Sequence, residues 1–504
     1  MTWTPRRAAG AAALVVLAAG LPAVNRLLVG VFYDDGLYAG LATALARGQG
    51  YVHPHLPGAP AAVHYPPLYP LVLAPLFGLL PVDGAALGGK ILNLLLGTAV
   101  AGTVAFHAAR RRLLGEHAPA WVPALVVAAA ATAIPVLTVQ AVLFAEPLFA
   151  LLLALAVLAA DGPSDASTRP ARAWVAGVLA ALVLLCRSIG LAGALGVVVF
   201  LAAVRRSPRP ALAAAVPPLV AGAAWAVWVV THRHGIDPAL ESNYGSYAVT
   251  LGQAGLATVG TGLRDLGRPL ATITLGWLPG GVLQTVVGTA ALAVGAYGVA
   301  VLARRSSAGL TAAAYVAIVA VWPYPPDRFL WAILPWLALA WGAGAAALWA
   351  RRPTRIGVAA LGAVLVIGYA QYQARGLAGR WWEVTARAIS ANFAELLPAL
   401  RDLPADAVVA TDDEALVWLY TGRRAVPLYL FAYRGATVAS PDERAHRGYL
   451  ARQGVTHVLL ASATGESARA LRALLRADPS WLVPVRRWEG GRWLFAVAAT
   501  ADEP

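Results

Sequence analysis

The sequence predicts a polytopic α-helical membrane protein of about eleven transmembrane helices, followed by a C-terminal extracytoplasmic α/β domain. Three observations lead to this fold class. The 504 residues are 59% hydrophobic and only 13% charged, with a mean hydropathy of +0.65. Many apolar runs approach the ~20 residues that cross about 30 Å of hydrocarbon. Near residue 376 these runs give way to alternating helix and strand patterns.

The apolar segments follow one another with short polar links between most of them. The first segment resembles a secretion signal, but it is long and many further spans follow, so we predict a retained helix. The predicted spans lie at residues 8–32, 84–109, 120–139, 147–160, 174–186, 189–204, 211–231, 282–303, 308–322, 329–350 and 356–369.

The distribution of charge sets the predicted orientation. Residues 1–379 contain 24 basic and 11 acidic residues, whereas residues 380–504 contain 15 basic and 14 acidic ones. The excess lies in short arginine clusters on the side of the N-terminus, which is the positive-inside pattern and not a nucleic-acid patch. We therefore predict a membrane domain at 1–375 with a cytoplasmic N-terminus. The first outer loop at about 33–83 and an α/β domain at 376–504 would face outward from a bacterial cytoplasmic membrane.

Two adjacent carboxylates, Asp34 and Asp35, open the first outer loop directly after an apolar stretch. A carboxylate at the membrane surface, beside low-dielectric material, is a suitable general base for a hydroxyl group. Because adjacent side chains point in different directions, one aspartate would be the base while the other binds or positions the substrate. The alternative is that the pair only marks the interface. The segment at 36–51 behind it predicts a helix lying along the membrane surface.

A Pro-Pro step at residues 66–67 and the apolar run behind it predict an interfacial helix on the same side. His64 and Tyr65 directly precede this step and are candidate substrate-binding residues, with His64 placed to meet a phosphate or a hydroxyl group. The alternative is an interface histidine without a role. A metal site built from His53, His55, His64 and the two aspartates is less favoured, because a proline separates the first two histidines and the spacing is open.

Three further charged residues at the outer ends of predicted spans are candidate substrate-binding residues. Glu146 begins a predicted span, where an acid is costly unless it has a function, although the proline behind it also suits a helix cap. Arg187 has no acidic neighbour in sequence, and Arg328 follows Asp327. A guanidinium group is a natural partner of a phosphate at this level. The alternatives are a salt bridge between Arg328 and Asp327 and a pairing of Arg187 with Glu146.

The C-terminal tail alternates helices and strands over about 125 residues, which predicts a small α/β domain. The acidic run Thr411, Asp412, Asp413 and Glu414 lies where a helix should begin. Asp and Thr at such a position cap free backbone N–H groups and suit the helix dipole. We therefore predict capping and not catalysis for this run.

Several of these segments together resemble the GT-C superfamily of polytopic membrane glycosyltransferases, and most of all its protein O-mannosyltransferase and aminoarabinose-transferase branch, glycosyltransferase family 39. The resemblance covers most of residues 1–350. The acidic pair and the downstream Pro-Pro segment are its most telling part, whereas the C-terminal domain carries no diagnostic motif. The motifs are YDDGLYAGLATALARGQGY, HYPPLYPLVLAPLF, AEPLFALLLAL, LLCRSIGL and PPDRFLWAILP.

The resemblance implies an enzyme that transfers a hexose or pentose from a polyprenyl-phosphate donor to an acceptor hydroxyl group, with inversion, on the outer face of the cytoplasmic membrane. In that family an acidic residue of the first outer loop is the base, which implies Asp34 as the catalytic residue with Asp35 second. Glu146 matches an acidic position of the second outer loop, which contacts the sugar or the acceptor.

The sequence also departs from the family pattern at His64. His64 stands where several relatives have a basic residue that contacts the donor phosphate, which leaves phosphate recognition to Arg187 or Arg328. The first loop lacks the DxD motif of metal-dependent oligosaccharyltransferases, so we expect no cofactor beyond the lipid-linked donor, and a divalent metal is not favoured. The expected partners are the polyprenyl-phosphate sugar, a glycan, lipid or protein acceptor, and membrane lipids, but not nucleic acid.

Two functions from other classes stay open on the sequence. A membrane transporter or lipid flippase would need charged or broken helices near the middle of the bilayer and ideally an internal repeat. Here the unusual charges cluster at the outer interface instead. A non-catalytic envelope-assembly protein would use its soluble domain to bind glycan.

Overall fold

A computed structural model describes residues 3–162, 169–255, 257–434 and 437–498. Within these ranges a helical part precedes a smaller α/β part, so the predicted fold class is confirmed. The helices up to residue 232 are α1 (Pro5–Gly20), α2 (Asp34–Ala46), α3 (Leu68–Leu79), α4 (Val82–Arg110), α5 (Trp121–Ala131), α6 (Ile134–Gln140), α7 (Glu146–Asp161), α8 (Pro170–Cys186), α9 (Leu191–Val199) and α10 (Pro208–His232).

The segment behind α10, which lies between the predicted spans at 211–231 and 282–303, contains four short α-helices among its described residues before the chain returns to long apolar ones. None of the four is long enough to cross a membrane. The helices of this second half are α11 (Glu241–Tyr244), α12 (Tyr247–Ala254), α13 (Ala257–Asp265), α14 (Arg268–Leu275), α15 (Val282–Ala303), α16 (Ser307–Val321), α17 (Asp327–Ala332), α18 (Leu334–Trp349) and α19 (Arg355–Ala378).

Several of the described helices have the length and composition of membrane spans, which confirms a multi-pass membrane protein. Five helices are by themselves long and apolar enough to cross a membrane, and α5 with α6 makes a sixth if the bent pair counts as one span. The count of eleven spans stays a prediction. The five are Pro5–Ala23, Val82–Arg110, Pro208–Gly235, Val282–Ala303 and Arg352–Ala378. The shorter apolar helices are Leu68–Leu79, Pro170–Cys186, Ser188–Val204, Ser307–Val321 and Leu334–Trp349.

The predicted span at 120–139 is not one straight helix. It is two, α5 and α6, which are bent by 66°. Gln373 of α19 lies at the break, where its amide donates to the carbonyl oxygen of Thr132 and its oxygen accepts the N–H of Ile134, each at 2.9 Å. Backbone groups that a break frees inside a membrane must find such partners. The sequence did not predict the bend, because these partners come from a distant helix.

The C-terminal part is a sheet with helices around it. Its elements are α20 (Val384–Arg401), β1 (Val408–Thr411), α21 (Glu414–Thr421), β2 (Arg424–Pro427), β3 (Ala432–Arg434), β4 (Thr437–Ala439), α22 (Glu443–Arg452), β5 (His457–Leu460), α23 (Glu466–Ala477), β6 (Leu482–Trp488) and β7 (Arg492–Val497). The five-stranded sheet has the order β2-β1-β5-β7-β6, parallel across its first three strands and antiparallel beyond them. β3 and β4 form a separate hairpin that the sequence did not predict. The predicted boundary at 375 and 376 falls inside the end of α19.

Helix α2, which was predicted to lie along the membrane surface, is buried within the protein, and its position relative to the bilayer stays a prediction. Every residue from Asp35 to Ala44 is buried. The helix packs against α3 and against α21 of the α/β domain. The contact with α21 was not predicted, because a pattern of apolar residues within one segment cannot show that a distant domain covers it. The consequence is that the α/β domain reaches the start of α2.

Candidate active site

The residue before the first carboxylate has a strained backbone. Tyr33 has φ 62° and ψ −72°, and the amide of Asp34 donates to the carbonyl oxygen of Phe32 at 2.7 Å. This is a γ-turn of the rare positive-φ form. Such strain persists only where the surroundings enforce it, and it concentrates at functional sites. The turn fixes the direction in which Asp34 leaves the backbone.

Two buried side chains hold the loop in front of this turn. Asp35, which is 1% exposed, accepts the backbone N–H groups of Gly30 and Phe32, each at 2.8 Å. Lys90, the only lysine of the chain, donates to the side-chain oxygen of Asn25 at 2.8 Å. Both oxygens of Asp35 are thus occupied by the backbone. In this geometry Asp35 has a structural role.

Asp34 is the better placed of the two aspartates to accept a proton. Its Oδ1 accepts the hydroxyl of Tyr65 at 2.6 Å, and its Oδ2 lies 2.5 Å from Nη2 of Arg328. Burial alone would raise the pKa of Asp34, but the Arg328 guanidinium and the Tyr65 hydroxyl outweigh it and hold the pKa below its usual range. The carboxylate is therefore ionised at neutral pH. Its side chain is 19% exposed, which leaves a reacting group access.

Arg328 joins Asp34 to a second acid. Its Nε lies 2.5 Å from Oε1 of Glu146, and the same oxygen is in contact with Nη1 of Arg187. The other oxygen of Glu146 has no hydrogen-bond partner among the residues that the structure describes. Five predicted site residues, Tyr65 included, therefore meet in one network of two carboxylates, two guanidinium groups and a hydroxyl.

The two sequence alternatives for the arginines have opposite outcomes. Arg187 does pair with Glu146, as one alternative proposed. The other alternative, a salt bridge between Arg328 and its neighbour Asp327, is wrong, because Asp327 pairs with Arg268 at 3.3 Å on the surface. Residues next to each other at a helix start point away from each other, so the nearest acid in sequence is not the nearest in space.

Aromatic rings flank both guanidinium groups. The guanidinium carbon of Arg328 lies 4.0 Å from the ring centre of Phe144, and that of Arg187 lies 5.3 Å from the ring centre of Phe329. Asn93 fixes the loop of Phe144 by donating to its carbonyl oxygen at 3.1 Å. Cation–π contacts of this kind hold the arginines in place. Sequence reasoning missed Phe144 and Asn93, because each lies in an apolar run and acts only through contacts with distant segments.

His64 lies beside this network and not within it. Its Nδ1 donates to the carbonyl oxygen of Gly245 at 2.7 Å, and its ring packs on that of Tyr247 at 4.1 Å. Burial lowers the pKa of His64, against the opposing effect of the Gly245 hydrogen bond. A proton on Nδ1 leaves Nε2 as an acceptor in the neutral ring. His64 can therefore accept from a hydroxyl group, but it brings no positive charge to a phosphate.

The other two loop histidines contact a tyrosine. His55 uses Nε2 to bond the hydroxyl of Tyr244 at 2.9 Å, and the ring of His53 packs edge-on against the same tyrosine at 4.8 Å. Across the described ranges no group of three or more His, Cys, Asp or Glu side chains is arranged to hold a metal ion. That the protein needs no metal stays a prediction.

The acidic run before α21 does not cap the helix as predicted. Asp413 occupies the N-cap position, but its side chain makes no capping hydrogen bond within the described part of the chain. Asp412 accepts the hydroxyl of Ser467 on α23, and Glu414 accepts the hydroxyl of Tyr244 on α11, both in close contact. The prediction was wrong because these acids meet partners that are far away in sequence. Glu414 thus contacts α11 of the helical part of the chain.

The network of Asp34, Arg328, Glu146 and Arg187 can bind an anion. Its two guanidinium groups and two carboxylates balance in charge, and guanidinium forks suit phosphate oxygens. If Arg328 turns toward an arriving phosphate, Asp34 loses its ion pair and becomes a stronger base. The arrangement can thus couple anion binding to the activation of a carboxylate.

No protein-family model matches this chain, and no curated protein matches it. Solved structures do match. ArnT from Cupriavidus metallidurans in the apo state has a TM-score of 0.58 at 16% identity, covering 97% of this chain and 98% of that one. The same protein bound to undecaprenyl phosphate gives 0.55 at 15% identity, with the same shares of 97% and 98%. The oligosaccharyltransferase of Archaeoglobus fulgidus in complex with zinc and sulfate gives 0.51 at 13% identity, covering 97% of this chain and 73% of that one.

These likenesses run through both parts of the chain, the helical part and the α/β part. They show that the chain shares the fold of ArnT and of this oligosaccharyltransferase, so the resemblance drawn from the motifs is confirmed at the level of fold.

Proposed function

We propose that this protein is an integral-membrane glycosyltransferase that moves a sugar, a hexose or a pentose, from a polyprenyl-phosphate donor to an acceptor hydroxyl group. The observation that carries the proposal is the position of Asp34 between the Tyr65 hydroxyl and the Arg328 guanidinium, in a network shared with Glu146 and Arg187. The fold supports it, since ArnT, which has a similar fold, was solved with undecaprenyl phosphate bound.

The donor phosphate would bind at Arg187 and Arg328. Glu146 holds the two guanidinium groups together through one shared oxygen, and aromatic rings flank each of them. The phosphate gains negative charge as its bond to the sugar breaks. Guanidinium groups that face the phosphate would stabilise that charge. The lipid tail can meanwhile stay in the bilayer.

Asp34 would act as the general base. The acceptor hydroxyl gives its proton to the Asp34 carboxylate while its oxygen bonds to the anomeric carbon. The bond between that carbon and the phosphate oxygen breaks, and its electron pair leaves with the polyprenyl phosphate. Attack from the side opposite to the phosphate inverts the anomeric centre. Because Arg328 would turn partly to the phosphate, the pKa of Asp34 would rise when a stronger base is needed.

The remaining predicted residues would support this step. Tyr65 orients the Asp34 carboxylate through its hydroxyl. Neutral His64 is placed to accept a sugar or acceptor hydroxyl, next to Tyr65 in the chain. We propose Asp35 as a structural residue and not as a second base, because both its oxygens accept backbone N–H groups. No step of the proposed reaction uses a metal ion.

The reaction would take place on the outer face of a bacterial cytoplasmic membrane. Arginine clusters in short loops on the side of the N-terminus support a cytoplasmic N-terminus and an outward α/β domain. A glycan, lipid or protein acceptor would then approach from the side of the α/β domain, whose helix α21 packs against α2.

Mass spectrometry of cell-envelope glycans tests the proposal. Cells that lack the protein are complemented with the wild type, with Asp34→Asn or with Asp327→Asn. Asp327 is the matched control because it is 42% exposed and pairs with Arg268 outside the network. We expect one glycan modification that the wild type and Asp327→Asn restore and Asp34→Asn does not, at equal protein levels in the membrane. Restoration by Asp34→Asn would overturn the assignment of the base.

The transporter or flippase hypothesis retains one supporting observation, the break between α5 and α6. Vesicles that contain the purified protein separate the two functions. A flippase moves the intact lipid-phosphate sugar across the bilayer, whereas a transferase releases polyprenyl phosphate. Movement of the intact donor without release would favour the transporter.

A further inference from the structure

We propose that the α/β domain is part of the active site, with Glu414 as a positioning residue that acts on Asp34 through Tyr244 and Tyr33. The inference rests on the proposed function and deepens it, since it gives the C-terminal domain a task in the reaction. Helix α21 packs directly against α2 and carries Glu414 at its first position.

The contact between α21 and the loop before Asp34 leaves no room for extra atoms. A Cβ atom on Gly30 would lie 2.7 Å from Cβ of Leu416 and 2.9 Å from its Cα, and Gly30 also has φ +96°. A Cβ atom on Gly36 would lie 3.0 Å from Cβ of Ala415. Only glycine satisfies the conformation and the spacing at residue 30. A shift of α21 must therefore shift the loop that carries Asp34.

Two hydrogen bonds tie the same loop to the α/β domain. The amide of Val29 donates to the hydroxyl of Tyr420 on α21 at 3.1 Å, and the amide of Leu28 donates to the hydroxyl of Ser390 on α20 at 3.0 Å. The loop thus receives partners from the membrane domain through Lys90 and from the α/β domain through α20 and α21. The position of Asp34 depends on both domains.

A relay of buried polar side chains lies at this contact. The hydroxyl of Tyr244 donates to a carboxyl oxygen of Glu414 and bonds to Nε2 of His55 at 2.9 Å. The ring of Tyr33 lies 6.2 Å from the ring of Tyr244. Glu414, Tyr244 and His55 are at most 1% exposed. Three separate segments therefore meet at Glu414: the first outer loop, α11 and α21.

Glu414, Tyr244 and His55, which form the relay, are neutral at pH 7, so each hydrogen bond between them has a defined donor and acceptor. Burial raises the pKa of Glu414 to about 8, against the hydrogen bond from Tyr244. Burial lowers the pKa of His55 to about 3, so the neutral ring donates from Nε2 to the oxygen of Tyr244. The titratable groups that face Glu414 are Tyr33, Tyr244, Tyr449, His55, Asp412 and Asp413.

Tyr33 connects this relay to the base. Its backbone forms the strained turn before Asp34, and such a turn persists only while its surroundings enforce it. Removal of the acceptor at position 414 takes away the group to which the buried Tyr244 hydroxyl donates and leaves His55 as its remaining partner, so the ring is free to move. Tyr33 then loses the surface it packs on, and the turn can relax. A displacement of about 1 Å at a reacting group lowers a rate by roughly 100-fold.

Turnover by the full-length protein in lipid nanodiscs tests the role. The donor is an undecaprenyl-phosphate hexose, the acceptor is an envelope membrane extract, and release of undecaprenyl phosphate is measured. We expect Glu414→Ala to lower kcat by about 10- to 100-fold while the KM for the donor changes by less than about 2-fold. Glu414→Gln keeps an oxygen that accepts from Tyr244 and should stay within about 3-fold of the wild type.

Glu395→Ala is the matched control for this series. Glu395 belongs to α20 of the same domain, is 60% exposed and pairs with Arg492. We expect it to keep the wild-type kcat. If Glu414→Ala does not fold, Tyr244→Phe replaces it, since that change removes the same hydrogen bond while retaining the ring.

Amide hydrogen exchange gives a second readout that does not depend on catalysis. In Glu414→Ala we expect residues 29–38 to exchange at least about tenfold faster, with no change in the sheet and no change in Glu414→Gln. Wild-type exchange, or faster exchange with an unchanged kcat, would overturn the inference and leave the proposed function standing. A wild type without transferase activity would overturn the proposed function, and the exchange data would still decide whether Glu414 positions the loop.

Discussion

Nη2 of Arg328 lies 2.5 Å from Oδ2 of Asp34, while Nε of the same guanidinium lies 2.5 Å from Oε1 of Glu146. One planar fork therefore bridges two acids that are far apart in sequence and begin two different helices. Two carboxylates this close would repel each other without a shared cation. The bridge explains how an ionised Asp34 can exist in a largely buried site.

The bridge predicts that lysine cannot replace Arg328. An ammonium group is a compact charge without the rigid fork, so it can reach one of the two acids but not hold both. We expect Arg328→Lys to lower kcat for donor turnover by about tenfold or more. Arg268→Lys changes a surface pair with Asp327 and should leave kcat unchanged. Equal rates for Arg328→Lys and the wild type would show that the bridge has no part in the reaction.

The pKa of Asp34 predicts the acid side of the pH profile. The pKa of Asp34 in the folded protein lies below its ordinary value of 3.8. The active carboxylate is therefore present at neutral pH and is lost only as the pH falls through this lowered pKa. Tyr65→Phe removes one hydrogen bond to the carboxylate and should raise its pKa. We therefore expect the acid limb of kcat/KM to move to higher pH in Tyr65→Phe. An acid limb at the same pH in the wild type and in Tyr65→Phe would show that Tyr65 does not influence the pKa of the base.

Asp35→Asn should destabilise the protein more than Asp34→Asn does. Each oxygen of Asp35 accepts one backbone N–H, and an amide group can replace only one of them while its NH₂ faces the other donor. A buried donor left unpaired costs about 1–3 kcal/mol. Thermal unfolding in detergent measures the difference. A lower Tm for Asp34→Asn than for Asp35→Asn would contradict the structural role of Asp35.

Glu414 predicts a pH dependence of stability at the domain contact. Its pKa is raised from 4.5 to about 8, so the native state holds a proton that the unfolded chain has released. Stability should therefore fall as the pH rises from about 4.5 to about 8, and no further above that. Glu414→Gln has no such proton and should lack this part of the decline. Identical Tm profiles between pH 5 and 9 for the two proteins would rule out a buried proton on Glu414.

The sequence predicted the parts of the site that stand out against an apolar background. Asp34, Glu146, Arg187 and Arg328 are charged residues at the ends of apolar runs, and each proved to lie in one network. Tyr65 was found through its place beside the Pro-Pro step. Charge at membrane depth is rare because it is costly, which is why it carries information about function.

The parts that the sequence did not predict depend on contacts between distant segments. Glu414 was assigned to a helix cap because its local pattern fits one, but its partner is Tyr244 of another domain. The contact between α2 and α21 was missed for the same reason. The bend between α5 and α6 is satisfied by Gln373, which no local pattern connects to it. Local periodicity reports one segment at a time.

The most direct test of the central claim is a single turnover with purified protein and an undecaprenyl-phosphate sugar in nanodiscs, with an envelope membrane extract as acceptor. The wild type and Asp327→Asn should release undecaprenyl phosphate at the same rate, and Asp34→Asn should release it about 10²- to 10⁴-fold more slowly, which is the usual contribution of a general base. Release by folded Asp34→Asn at the wild-type rate would contradict the account.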